Sequence, residues 1–249
     1  MDSIFIWEQD YFKPVTSLSV ALICFLFYHF ITNSDSLYKK FQITFGENRA
    51  QEFWIHFRQV TGFIFLGGIP LLVVLLILQE KTGAFGLSIS MNKTVLYYIV
   101  IISVIIVFIN FFASKNHNNQ NKYPLIRTKK WNLKLLIISM SGWIIYLLAY
   151  EFLFRGFLLF ACIQSLGIWP AIIINIVYYS LAHVPQGLNE AVGAIPFGLV
   201  LCYVVVLSGT IWPAFLLHTV LAISNEWFSI SNNAEITFRF SSSDQTKLK

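Results

Sequence analysis

Long apolar runs without a formal charge decide what this chain can fold into. Residues 14–32, 60–78 and 94–114 contain no Asp, Glu, Lys or Arg over 19–21 positions. At about 1.5 Å of rise per residue each is long enough to cross a hydrocarbon layer about 30 Å thick. A fourth run, 135–164, is interrupted only by Glu151 and Arg155, and 167–183 is a fifth. The charge-free stretch 191–225 is too long for one crossing; Ser208-Gly209, with Pro213 beyond it, predicts a tight turn between two helices. The pattern predicts an all-α polytopic transmembrane helical bundle with seven crossings, or eight where 152–164 makes a separate pass. Composition agrees. Charged residues are 12% of the chain and hydrophobic ones 57%, against about 25% charged in a soluble domain. That balance excludes a disordered chain, a coiled coil and a nucleic-acid binder. Cys24, Cys162 and Cys202 lie inside apolar runs without C-x-x-C spacing, as small buried hydrophobes do.

The loops give an orientation. With seven crossings, one side receives thirteen Lys and Arg residues, from Lys39 to Arg58, from Lys115 to Lys134, and in the tail. The other side receives Lys13, Lys81, Lys93 and at most Arg155. The positive-inside rule makes the first side cytoplasmic and puts the N-terminus outside. The N-terminus carries acids where a signal peptide is basic, so the first run reads as a retained helix. Phe53, Trp54 and Phe57 beside Arg58 suit a short interfacial helix within 33–58. The chain reads as one integral membrane domain, 1–249, with a polar, flexible tail over 230–249.

An ionisable side chain at membrane depth costs about 2.5–3.5 kcal/mol on insertion scales, so each one needs a reason. Glu151 and Arg155, four apart, share a helix face and can pair. Tyr179 and His183 are also four apart, and His218 and Asn225 lie two turns apart on one stripe. Glu190 follows His183 across Pro185-Gln186-Gly187, at a helix N-terminus whose dipole suits a carboxylate. Singly, each has an ordinary structural explanation, a buried ion pair or a hydrogen-bonded core imidazole. Two carboxylates, an arginine, two histidines and an asparagine in an otherwise uncharged half of the chain read as a convergent polar site.

No H-E-x-x-H helix, G-x-S-x-G elbow or phosphate-binding glycine loop is present, and no lysine enters the later runs. What remains suits hydrolysis without a covalent intermediate: a desolvated glutamate takes a proton from water, and an imidazole or amide stabilises the tetrahedral oxyanion. The same groups could instead hold zinc through His183, His218 and Glu151 with a water position left open. A transporter that binds a proton or ion at the cluster is a competing class, weakened by the lack of an inverted repeat.

The motifs carry a resemblance. Tyr150-Glu151-Phe152-Leu153-Phe154-Arg155, Tyr179-Ser180-Leu181-Ala182-His183 and His218-Thr219-Val220-Leu221-Ala222 are similar, in order and spacing, to E-E-x-x-x-R, F-x-x-x-H and H-x-x-x-N/D. These are the motifs of the CPBP (Abi) intramembrane proteases, which include the type II CAAX prenyl proteases. The resemblance covers a motif-bearing core, 135–227. It implies an intramembrane endopeptidase, glutamate-type or metallo-type, acting on a membrane-associated or lipid-linked protein and placed in a bacterial inner membrane. Two positions depart from the family. Tyr150 stands where the family's first glutamate, its water-activating base, is found, and Ala222 where it has asparagine or aspartate. Glu190 and Asn225 are the replacements in reach. Either Glu151 or Glu190 is the base, with His183, His218 and Asn225 around the oxyanion and Arg155 holding Glu151, or the chain is an inactive relative serving as a membrane scaffold or immunity factor. The first reading expects a wet cavity open to the cytoplasmic side.

Overall fold

The computed structural model describes residues 9–239. Residues 1–8, which bear on the signal-peptide question, and 240–249 of the tail lie outside the described residues. The first helix, α1, spans Phe12–Thr32, and the short α2 spans Asp35–Phe45 with Ser34 as its cap, Leu37 N–H donating to Ser34 Oγ. Helix α3 starts at Glu47–Gly62 and runs on through Phe63–Gly68, Ile69–Leu72 and Val73–Ile77. Helix α4 spans Lys93–Ala113, capped by Asn92. Helix α5 starts at Leu133–Glu151, capped by Asn132, widens into a π-helical stretch over Phe152–Leu158 and ends with Leu159–Leu166. Then come α6 (Ile168–His183), α7 (Leu188–Ser208) and α8 (Trp212–Ser231).

The protein is an all-α integral membrane protein. Among the described residues, six helices are long and apolar enough to cross a bilayer: α1, α3 over Arg49–Ile77, α4, α5 over Leu133–Leu166, α6 over Ile168–Gln186, and α7. Helix α8 is of crossing length but more polar, because it carries His218, Asn225 and Glu226. The turn expected around Ser208-Gly209 is present: Gly209 adopts φ +70°, a left-handed C-terminal stop that glycine takes without strain, and Pro213 opens α8.

Three sequence expectations change. Residues 152–164 are not a separate pass but the second half of α5, whose 34 residues extend about 50 Å at helical rise. Glu151 therefore falls at the middle of a long helix, which lets it meet residues from both ends of its neighbours. The short helix within 33–58 is Asp35–Phe45, whereas Phe53, Trp54 and Phe57 belong to the early turns of α3, where they pack against Phe41 and Phe45. The tail is not free from residue 230: Thr237–Arg239 (β2) pairs in parallel with Lys130–Asn132 (β1).

The helix in the middle is α5, the most deeply buried of the candidate spans, with all seven residues of its π-helical stretch inside the core. Helix α3 packs on one flank of α5 and α8 on the other; α6 and α7 pair with each other, and α4 lies outside against α8. The three cysteines are buried and free. A π turn leaves main-chain groups off the regular ladder, and such turns gather at functional sites. Here Asn175 of α6 donates its amide to Phe154 O at 2.5 Å and accepts from Cys202 Sγ at 3.2 Å. These bonds tie the widened turn, and Arg155 within it, to α6 and α7.

Candidate active site

Four helices supply the site: α5 with Tyr150, Glu151 and Arg155, α6 with Tyr179 and His183, α7 with Glu190, and α8 with His218 and Asn225. Glu151 is fully buried, 0% exposed. His218 Nδ1–H donates to its Oε1 at 2.5 Å, and Arg155 Nη1 lies 3.2 Å from Oε2 as countercharge. A charge this deep survives only with such pairing. Arg155 is sealed in turn: its guanidinium carbon sits 4.0 Å from the Tyr179 ring centre, a cation–π contact. A Cβ on Gly198 would stand 3.0 Å from that ring and 3.7 Å from Arg155 Nη2. A side chain there would press on the Tyr179 ring, so glycine eases the close approach of α7 to the pair.

The imidazoles are oriented by what their Nδ1 atoms touch. A carboxylate accepts, so His218 carries its proton on Nδ1. A main-chain carbonyl also accepts, so His183, 2.7 Å from Tyr179 O, does the same. Both rings are thus left with an Nε2 lone pair. They wall a cavity of about 560 Å³ together with Tyr150, Glu190, Phe197 and Asn225. Tyr150 stands edge-on to both imidazoles, with ring centres 6.2 Å from His183 and 5.8 Å from His218. The loop after α4 forms one mouth of the cavity through Asn121, Lys122, Tyr123, Leu125 and Arg127.

The family described as "Type II CAAX prenyl endopeptidase Rce1-like" matches residues 131–224. No curated protein and no solved structure matches the chain. Residues 131–224, under half of the chain, are thus similar to that family. That family is one of membrane proteases, and the matched segment carries Glu151, Arg155, His183, Glu190 and His218, whereas Asn225 follows directly after it.

Within the Rce1-like segment the sequence-selected residues separate. Glu151, Arg155 and His218 form one bonded group, and His183 faces the same cavity. Glu151 itself does not line that cavity, because His218 and Arg155 stand on its oxygens. As a base acting directly on water it is therefore misplaced. Glu190 lines the cavity in an ion pair with Lys122 Nζ at 3.2 Å. Asn225 Oδ1 accepts from Asn119 Nδ2 at 3.1 Å, leaving its own amide N–H groups for the cavity. The zinc set does not assemble: Glu151 is taken up by His218 and Arg155, and among the described residues no three His, Cys, Asp or Glu side chains gather as metal ligands. The residues present do not fit that ion.

Two further residues escaped sequence reading. Asn175 lies one turn before Tyr179 with nothing but an apolar helix around it. Glu226, 0% exposed, takes a hydrogen bond from Ser139 Oγ at 2.9 Å and one from Leu125 N–H at 3.4 Å. A carboxylate eight positions after His218 was the available signal.

Proposed function

We propose that the chain is an intramembrane endopeptidase that hydrolyses a peptide bond of a membrane-associated protein with water activated by imidazole. The observation that carries the reading is the Glu151–His218 contact at 2.5 Å on the wall of a cavity that His183 also faces. A water donates its two O–H groups to the Nε2 atoms of His218 and His183, which leaves an oxygen lone pair for the substrate carbonyl. As the C–O bond forms, His218 takes the proton and Glu151 stabilises the imidazolium. The Tyr150 hydroxyl has no hydrogen-bond partner among the described residues and donates to the oxyanion, a role open to a phenol. His218 then passes its proton to the leaving nitrogen as the C–N bond breaks. Asn225, about 10 Å along α8 from His218 at helical rise, holds substrate main chain. In this reading Tyr150 changes the family's base position into a donor, and the base becomes the carboxylate–histidine pair behind it.

The topology that suits this chemistry has α8 as a seventh crossing and the basic loops in the cytoplasm, so the cavity opens there beside Lys122 and Arg127. A second reading, an inactive relative acting as a scaffold, rests on the same Tyr150 and on Ala222. The deciding experiment presents the full chain in lipid nanodiscs with membrane-anchored peptides and reads new termini by mass spectrometry. Cleavage should appear with the parent chain, vanish with His218→Ala, and fall about a hundredfold or more with Tyr150→Phe, the loss of one oxyanion donor. No product from the parent chain above a protein-free control would leave the scaffold reading standing, and equal product from the parent and from His218→Ala would overturn the role of His218.

A further inference from the structure

The cavity extends beyond the imidazoles. From His218 its wall continues through Tyr150, Tyr146 and Tyr28, with successive ring centres 5.8, 5.6 and 6.0 Å apart. At that far end it is lined by Arg58 and Gln59 of α3. Gln59 is more than nine-tenths buried; its Oε1 accepts from His56 Nδ1 at 3.1 Å, while its Nε2 has no partner. Arg58 Nε is likewise buried without a partner. Three cationic residues line the cavity, and two are already engaged. Lys122 pairs with Glu190, and Arg127 gives its guanidinium to the carbonyls of Gln120, Asn121 and Tyr123. Arg58 has no carboxylate partner among the described residues. Buried donors without acceptors are costly, and two of them side by side on a cavity wall are suited to receive an acceptor from whatever occupies it.

We propose that Arg58 and Gln59 form a specificity subsite for a carboxylate of the substrate, reached along the tyrosine row from the hydrolytic centre. The inference rests on the peptidase reading above and adds the substrate's charge and its distance. Three ring spacings correspond to at most about five residues of extended chain, at 3.3–3.6 Å each. The carboxylate, carried on an Asp or Glu side chain of the substrate, therefore lies within about five residues of the cleaved bond. The tyrosines between accept apolar side chains, and Arg58 and Gln59 together offer donors that match a carboxylate.

The test is a degenerate peptide library given to the full chain in phosphatidylcholine nanodiscs, with cleaved bonds read by mass spectrometry. Peptides with an acid within about five residues of the cut should be enriched about tenfold over their amide counterparts, the lower range for a hydrogen bond to a charged group. Arg58→Gln should abolish the enrichment while neutral peptides are still cut, and Arg58→Lys should keep part of it. Cleavage without acid enrichment, or enrichment unchanged by Arg58→Gln, overturns the subsite and leaves the peptidase reading intact. No cleavage by the parent chain overturns both. A last arm adds phosphatidylglycerol: Arg58-dependent retention of that lipid, with enrichment lost in its presence, assigns the donors to a headgroup phosphate and also overturns the proposal.

Discussion

Glu151 on α5 and Glu226 on α8 are equally buried, yet their surroundings give them different work. Glu151 meets a guanidinium and an imidazole, both able to carry charge, and one of them reaches a cavity wall. Glu226 meets a hydroxyl and a main-chain N–H, and it faces the loop after α4 rather than the cavity. Burial of a carboxylate in a membrane protein therefore does not by itself mark chemistry. Partners that can accept or pass a proton do, and partners that are neutral donors make a clasp. Glu226 holds Leu125 and so fixes the loop whose Asn119, Lys122 and Tyr123 close one end of the site. In that loop the Tyr123 phenol is pushed above its ordinary value, first by burial and then by the nearby Glu190 and Glu226 carboxylates, so it stays neutral.

The largest expected effect separates the two at once. Glu151→Gln removes the charge that stabilises the His218 imidazolium, and peptide cleavage should fall by about a hundredfold or more. It also strands Arg155, fully buried, and should lower stability by about 3–5 kcal/mol, measured as thermal unfolding in nanodiscs. The double replacement Glu151→Leu with Arg155→Met should recover most of that stability, because a well-packed apolar pair can equal a buried ion pair. It should recover no cleavage. A double variant that cleaves normally would sink the carboxylate–histidine pair.

The different legibility of these residues has a physical cause. Crossing helices and their turn signals were readable because a bilayer demands about twenty apolar positions and leaves Gly209 and Pro213 as visible breaks. Glu151, Arg155, His183 and His218 stood out because charge and imidazole are rare at that depth. Direction was not readable. Spacing puts Glu151 and Arg155 on one face of α5, but whether that face meets the cavity or only other side chains depends on how α5 rotates against α8. The π turn at Phe152–Leu158 sets that rotation and leaves no trace in the apolar pattern. Asn175, which ties that turn, is a lone polar residue in α6 and cannot be told from a packing residue by sequence. Glu226 sits where a charge near a helix end has an easy explanation, and only the folded loop over it makes it fully buried. The length of α5 is a similar case, since continuous apolar sequence does not distinguish one 34-residue helix from two short passes.

A smaller effect is expected at the clasp. Glu226→Gln keeps the shape and one acceptor oxygen, and so loses about one hydrogen bond, worth about 1–3 kcal/mol when a buried group goes unsatisfied. Amide hydrogen exchange should rise selectively over residues 114–132, while cleavage stays within about threefold. Loss of activity on the scale of Glu151→Gln, with exchange in the loop unchanged, would erase the distinction between the two carboxylates.

The smallest effect belongs to the carboxylate that sequence reading offered as a substitute base. Glu190 lines the cavity, but it is partly exposed and paired with Lys122, with side-chain exposures of 35% and 38%. A pair so open to solvent contributes about 1 kcal/mol or less. Its position at the start of α7 satisfies the helix dipole without any catalytic duty. Glu190→Gln should therefore shift thermal unfolding by little and leave cleavage within about threefold, and the added salt that screens exposed pairs should shrink even that difference. The competing expectation is far apart. If Glu190 rather than the His218–Glu151 pair took the proton from water, its amide would cost about 10²–10⁴-fold in rate, the usual contribution of a general base. A single rate measurement on Glu190→Gln thus separates a base on the rim of the cavity from a base set in its wall.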